Sequence, residues 1–210
     1  MYNFRNDYSE GAHPAVLAAL AAHNDEHVVG YGADQYCARA AQLIRDLCRC
    51  PGADVQFLIG GTQTNFTAVA AFLRPWEGVI CAHTGHVNGH EGGAVEATGH
   101  KLLQAQAGPD GKLTPELILP LVEEGRNEHV VLPRLVYISD ATENGAVYTL
   151  AELEALSSCC RANGLLLFLD GARLGAAFGA AGNDLTLPDL ARLTDAFYIG
   201  GTKNGALMGE

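Results

Sequence analysis

The residues of this chain that can do chemistry stand at the ends of short apolar runs. Leu165 to Leu169 is wholly apolar and closes on Asp170. A carboxylate is costly to bury there without a partner, so Asp170 should cap the next helix, pair with Arg173, or face a cationic group of a bound molecule. Lys203 follows another apolar run, Ala196 to Ile199, and a Gly200-Gly201-Thr202 turn. Glycines at that turn let an amine approach a ligand closely, and a lysine held there can attack a carbonyl carbon as a free amine. Taken singly, such a lysine is more often a solvated surface residue.

Two other clusters complete the set. Gly60-Gly61-Thr62-Gln63-Thr64-Asn65 puts small residues and hydroxyls where a helix begins, and helix N-termini favour phosphate. It lacks the Lys-Ser/Thr ending of a P-loop, and alone it reads equally well as a glycine turn with a threonine cap. His83, His86, His90 and Glu91 have the residue types for a metal site, with His86 and His90 four apart. No further ligand group stands out and HExxH is absent, so the preferred reading is an imidazole stacked on a flat cofactor. An amine, a strand-end acid, a phosphate cradle and an aromatic ring, together in one chain, are what pyridoxal phosphate (PLP) requires.

The elements that must position these groups follow from periodicity. Helices are predicted over His13 to His23, with Pro14 at its start, from Asp34 to about Cys50, ended by Pro51-Gly52, over Thr64 to Leu73, over Thr114 to Glu124, and from Thr149 to Asn163, closed by Gly164. Strands are predicted at Val55 to Ile59, Val79 to Ala82, Leu135 to Ser139, Leu165 to Leu169 and Ala196 to Ile199, with Ala105 to Leu113 as a loop. Strands that alternate with helices and are apolar on both faces indicate an α/β fold: a mostly parallel sheet with helices on both sides. In such sheets ligands bind beyond the carboxyl ends of the strands, where all of these clusters fall.

Composition narrows the partners. Acidic residues outnumber basic ones 24 to 13, and the net charge of −11 opposes nucleic acid and anionic membranes, leaving a small molecule. The six cysteines lack zinc-finger spacing and read as reduced thiols. The N-terminal stretch Met1 to Asp7 has no leader pattern, and no run approaches the roughly 20 apolar residues of a membrane span, so a cytoplasmic protein is expected.

These residues resemble the threonine aldolase and β-eliminating lyase family of fold-type-I PLP enzymes over nearly the whole chain. The resemblance is carried by residues 4–9, Tyr31 to Asp34, Gly60 to Asn65, His86 to Gly93, Leu169 to Arg173 and Gly200 to Gly205. It implies that residues 1–210 form a PLP-binding large domain, with an N-terminal segment of about 1–50 and a sheet core of 51–210. The small domain that follows in the family, and supplies an arginine for the substrate carboxylate, would be absent. Lys203 would form the Schiff base, Asp170 would pair with the pyridine nitrogen, Arg173 would contact the ring hydroxyl and His86 would stack on the ring. Gly61 and Thr62 would hold the phosphate. Glu91 would support proton transfers, with His86 or Glu91 as the base. Asn6, where many relatives carry serine, would lie near the substrate carboxylate, and Tyr31 or its neighbours would reach a partner's site in a homodimer or homotetramer.

The activity so implied is retro-aldol cleavage of a β-hydroxy-α-amino acid such as threonine to glycine and acetaldehyde. β-Elimination on the same cofactor, a truncated and non-catalytic PLP-binding fragment, and a nucleotide-binding protein using the Gly60-Gly61 turn are the alternatives. The last lacks G-x-G-x-x-G with a downstream acid.

Overall fold

The apolar runs form a five-stranded, all-parallel sheet in the computed structural model of the protein, which describes residues 4–210. Met1 to Asn3, where the leader pattern was sought, lie outside the described residues. The strands are β1 (Glu77–Ala82), β2 (Leu102–Ala105), β3 (Leu132–Ser139), β4 (Leu166–Asp170) and β5 (Ala196–Phe197), in the order β2-β1-β3-β4-β5. The order in which strands are added therefore reverses between β1 and β3, and the crevice beyond the carboxyl ends at such a switch is the favoured ligand position.

The sheet is central because its strands are apolar on both faces. Every residue of β1 is buried. Ile80, Val136, Ile138, Leu167 and Leu169 face one layer, which holds α5 (Pro115–Glu124), α6 (Leu150–Ala162) and α8 (Leu187–Leu193). Val79, Cys81, Leu135, Tyr137 and Phe168 face the other, where α3 (Gly61–Phe72) and the residue after it contribute Val69 and Leu73. Alternation along β4 then sends Asp170 to the same face as Phe168, towards α3.

Helix boundaries follow local chemistry. His13 and Asp34 cap α1 (Pro14–Ala22) and α2 (Gln35–Cys48), with the Asp34 carboxylate accepting from the N–H groups of Tyr36 and Cys37. Thr149 and Glu152 form a capping box at α6. The predicted start at Thr64 moves back to Gly61, because Gly60 is extended and already accepts the first helical hydrogen bond, from Thr64 N–H. Short elements such as β2, α7 (Leu174–Gly179) and α8 escaped periodicity, each too brief for its apolar positions to repeat.

One predicted strand is corrected. Residues 55–59 lie outside the sheet; Leu58 exchanges main-chain bonds with Glu210 (3.1 and 2.9 Å), and Gly209 N–H donates to Ile59. With pairing confined to these two residues, and the Ile59 N–H taken by the Gln63 side chain, the run has no ladder to join.

Two glycines bring β4 and the residues after β5 into contact. A Cβ on Gly171 would lie 1.8 Å from the Tyr198 carbonyl oxygen, and one on Gly200 would lie 2.4 Å from that of Ala172. This approach puts the turn bearing Lys203 beside the end of β4. Gly171→Ala must force the two main chains away from each other, so it should destabilise the protein by roughly 4 kcal/mol, read as a fall in Tm; a loss below about 1 kcal/mol contradicts this packing.

Candidate active site

Beyond the carboxyl ends of the strands lies a cavity of about 320 Å³, within the range of small-molecule sites. Asp170 lines it from the end of β4 and is 4% exposed. Four donors converge on its carboxylate: the Tyr137 hydroxyl and Asn65 Nδ2 (3.1 Å) on Oδ2, and the Tyr198 hydroxyl (2.5 Å) and Ala172 N–H (2.9 Å) on Oδ1. Burial raises both tyrosine pKa values, so these phenols stay protonated as donors. Asp170 does not cap the next helix: α7 starts after Arg173 with no side-chain cap, and the bond from Ala172 N–H to Asp170 closes a local turn instead. Arg173 bonds elsewhere: to Asp7 at 2.5 and 3.3 Å, and to Glu143 at 3.5 Å.

Lys203 sits in a 3₁₀ turn, Thr202–Asn204, with its side chain 15% exposed. Its Nζ is 3.9 Å from Asp7 Oδ1 and 5.9 Å from the Tyr8 ring centre. Gly60, Gly61 and Thr62 line the cavity from the N-terminus of α3, where no side chain caps the helix and its first N–H groups have no intrahelical partner. A Cβ on Gly61 would come within 2.9 Å of the Tyr198 hydroxyl that holds Asp170.

His86 opens α4 (His86–Gly89), just after β1, and its Nδ1 lies 2.7 Å from Glu91 Oε1. The hydrogen bond from His86 to Glu91 raises the His86 pKa above its ordinary 6.5; burial opposes, and the negative charges of Glu143, Glu91 and Asp170 add to the rise. The folded-state pKa is the higher one, so this bond stabilises the protein fully below about pH 6.5 and less as pH climbs through the raised value. NMR titration of His86 should give a midpoint above 6.5, and Glu91→Gln should return it towards 6.5; an unmoved midpoint would deny the bond its influence.

Lys203, Asp170, Arg173, His86, Gly61 and Thr62 thus share one cavity. Glu91 stands behind His86, its side chain fully buried. Asn6 and Tyr31 are not brought to it. Asn6 accepts from the Tyr8 N–H and the Ser9 hydroxyl in a local turn, and Tyr31 is fully exposed with a left-handed backbone (φ 64°). Of the metal candidates, His90 lies beside His86 with ring centres 5.6 Å apart, and among the described residues no three His, Cys, Asp or Glu side chains converge on one point. Sequence reasoning overlooked Asp7, Tyr8, Asn65, Tyr137, Glu143 and Tyr198. A hydroxyl inside an apolar strand, as at Tyr137, was the one signal available, since a buried phenol demands a partner.

The family model of the β-eliminating lyases matches residues 3–209. The chain belongs to the β-eliminating lyase family. Enzymes of this family are PLP-dependent and of fold type I. The chain is 39% identical over 209 residues to a low specificity L-threonine aldolase of Pseudomonas aeruginosa, covering 99% of itself and 60% of that protein. A second, from another Pseudomonas strain, is 38% identical over the same span. Among solved structures, a threonine aldolase of Leishmania major superposes with a TM-score of 0.97 at 54% identity, over all of this chain and 61% of that one. The chain therefore spans about 60% of the length of these relatives.

The cavity fits the family's cofactor. Asp170 is a buried carboxylate held by neutral donors and lining the cavity, as a cationic ring nitrogen would require, and the uncapped start of α3 offers the free N–H groups that a phosphate would require. Lys203, Arg173 and the His86 ring line the space between.

Proposed function

We propose that the protein is a PLP-dependent lyase that cleaves a β-hydroxy-α-amino acid such as threonine between Cα and Cβ. The observation that carries this reading is that the amine of Lys203, the buried acid of Asp170, the open N-terminus of α3 and the His86–Glu91 pair meet in one cavity. Asp170 would hold the ring nitrogen, Thr62 and the first N–H groups of α3 would hold the phosphate, Arg173 would serve the ring hydroxyl, and His86 would supply an aromatic face to the ring. When bound, the cofactor accepts the electron pair released at Cα.

This chain's part in the reaction is to place charges and protons. Lys203 would supply the amine that ties the cofactor down, and would be freed as a neutral amine when the substrate's amino group takes its place. His86, made more basic by Glu91, takes the β-hydroxyl proton as the bond breaks. The neutral imidazole is the working form, so the rate should rise with pH through the His86 midpoint. His86→Ala should lower kcat about 100- to 10,000-fold, the range for a positioned general base. A smaller loss, with the pH limb intact, would pass the role to another group.

The deciding experiment gives threonine and PLP to the protein and analyses the products. Glycine with acetaldehyde is expected; 2-oxobutyrate with ammonia would mean elimination, and no PLP uptake would sink the reading altogether. We place this chemistry in the cytoplasm, supported by six unpaired thiols and by the absence, among the described residues, of any helix long and apolar enough to cross a membrane. A homodimer or homotetramer is supported by the apolar side chains exposed along the N-terminal segment, at Leu17, Leu20, Val28, Val29 and Tyr31. Sedimentation that returns only a monomer overturns that assembly.

A further inference from the structure

Asn65, on α3 and wholly buried, hydrogen-bonds two carboxylates at once. Its Nδ2 donates to Glu91 Oε1 at 2.7 Å and to Asp170 Oδ2 at 3.1 Å. Only the NH₂ end of an amide can face two carboxylates, so the orientation is unambiguous. The cost is visible: Asn65 Oδ1 and Glu91 Oε2 are both buried and unpartnered. An unpaired buried oxygen costs about 1–3 kcal/mol, so this orientation persists because two charge-assisted bonds outweigh it.

Glu91 Oε1 accepts on its other side from His86 Nδ1. A continuous path therefore runs from His86 through Glu91 and Asn65 to Asp170, and on to Tyr137 and Tyr198. We infer that Asn65 is a positioning residue whose amide ties Glu91 to Asp170, so that the acid orienting His86 and the acid facing the ring nitrogen are held as one unit. The inference rests on the proposed reading of the cavity for its purpose, and on the hydrogen bonds alone for its geometry. Other groups act on His86 as well: the charges of Glu143, from beyond β3, and of Asp170, and the neighbouring ring of His90. Asn65 is thus the residue through which Glu91 can be altered without removing any group that faces the imidazole.

The test uses the cofactor-free chain, ¹⁵N-labelled, with His86 followed by NMR as pH is varied. In Asn65→Ala, Glu91 loses its second donor and turns its charge wholly on the imidazole, so the His86 midpoint should rise by about half a unit or more. A residue that merely filled space would lower Tm and leave the His86 midpoint where it was. If Asn65→Ala fails to fold, Asn65→Leu, which keeps the volume and lacks both donors, carries the same expectation. An unmoved or lowered His86 midpoint in a folded variant overturns the inference. Failure of the unaltered chain to bind PLP would instead overturn the proposed function, and the His86 titration would still decide the role of Asn65.

Discussion

Replacement of Lys203 by alanine should abolish covalent retention of PLP and lower amino-acid cleavage on the order of 10⁴-fold, the scale on which loss of a covalent nucleophile acts. The chain makes this a sharp experiment, because it contains only three lysines: Lys101, Lys112 and Lys203. Lys101 is exposed immediately before β2, and Lys112 is tied to both Glu152 oxygens at 2.9 and 2.7 Å. Lys203 alone of the three lines the cavity. Borohydride treatment followed by peptide mapping should therefore place the label on the peptide holding Lys203, and Lys203→Ala should leave no label. Lys203→Arg keeps a positive charge near Asp7 but removes the nucleophilic amine, so it too should bind PLP only non-covalently. A label on Lys101 or Lys112, or full cleavage by Lys203→Ala, would remove this residue from its role.

How much of this was readable in advance depended on whether a residue's partner lay nearby in the chain. Asp170 and Lys203 were legible because each follows an apolar run, and a strand end in a parallel sheet has a defined place. His86 and Glu91 are five apart, and a short helix suffices to join them. Asp7 was not legible: it meets Arg173 across 166 residues, and nothing in its own surroundings indicates that pairing. Asn65 looked like a helix residue behind a glycine turn, yet the sheet alternation that turns Asp170 towards α3 gives it its second carboxylate. Val55 to Ile59 failed for the opposite reason. Its composition is that of a strand, but strand formation needs a neighbouring ladder, and among the described residues only 209–210 supply one.

Asp170→Asn should be nearly as severe as loss of Lys203, for a reason contained in its four donors. The Ala172 N–H cannot reverse, so the asparagine oxygen must occupy the Oδ1 position, where the Tyr198 hydroxyl also donates. The new NH₂ then falls where Oδ2 was, facing Asn65 Nδ2, another donor. Tyr137 can rotate its hydroxyl to accept, but Asn65 can relieve the clash only by turning its oxygen towards Glu91. The substitution thus removes the negative charge that would hold a cationic ring nitrogen and also breaks the link to Glu91. Losing one partner of a buried charge pair costs about 2–5 kcal/mol, so the Kd for PLP should rise by roughly 30- to 5,000-fold. Cleavage should fall further, because a ring without its counter-charge is a poorer electron acceptor. Asp170→Glu separates the two effects: it restores the charge with an extra methylene in a packed site, so it should recover some of the affinity while remaining less stable than the parent. Should Asp170→Asn bind PLP as tightly as the parent while holding its Tm, the carboxylate serves only to cap the turn at Ala172.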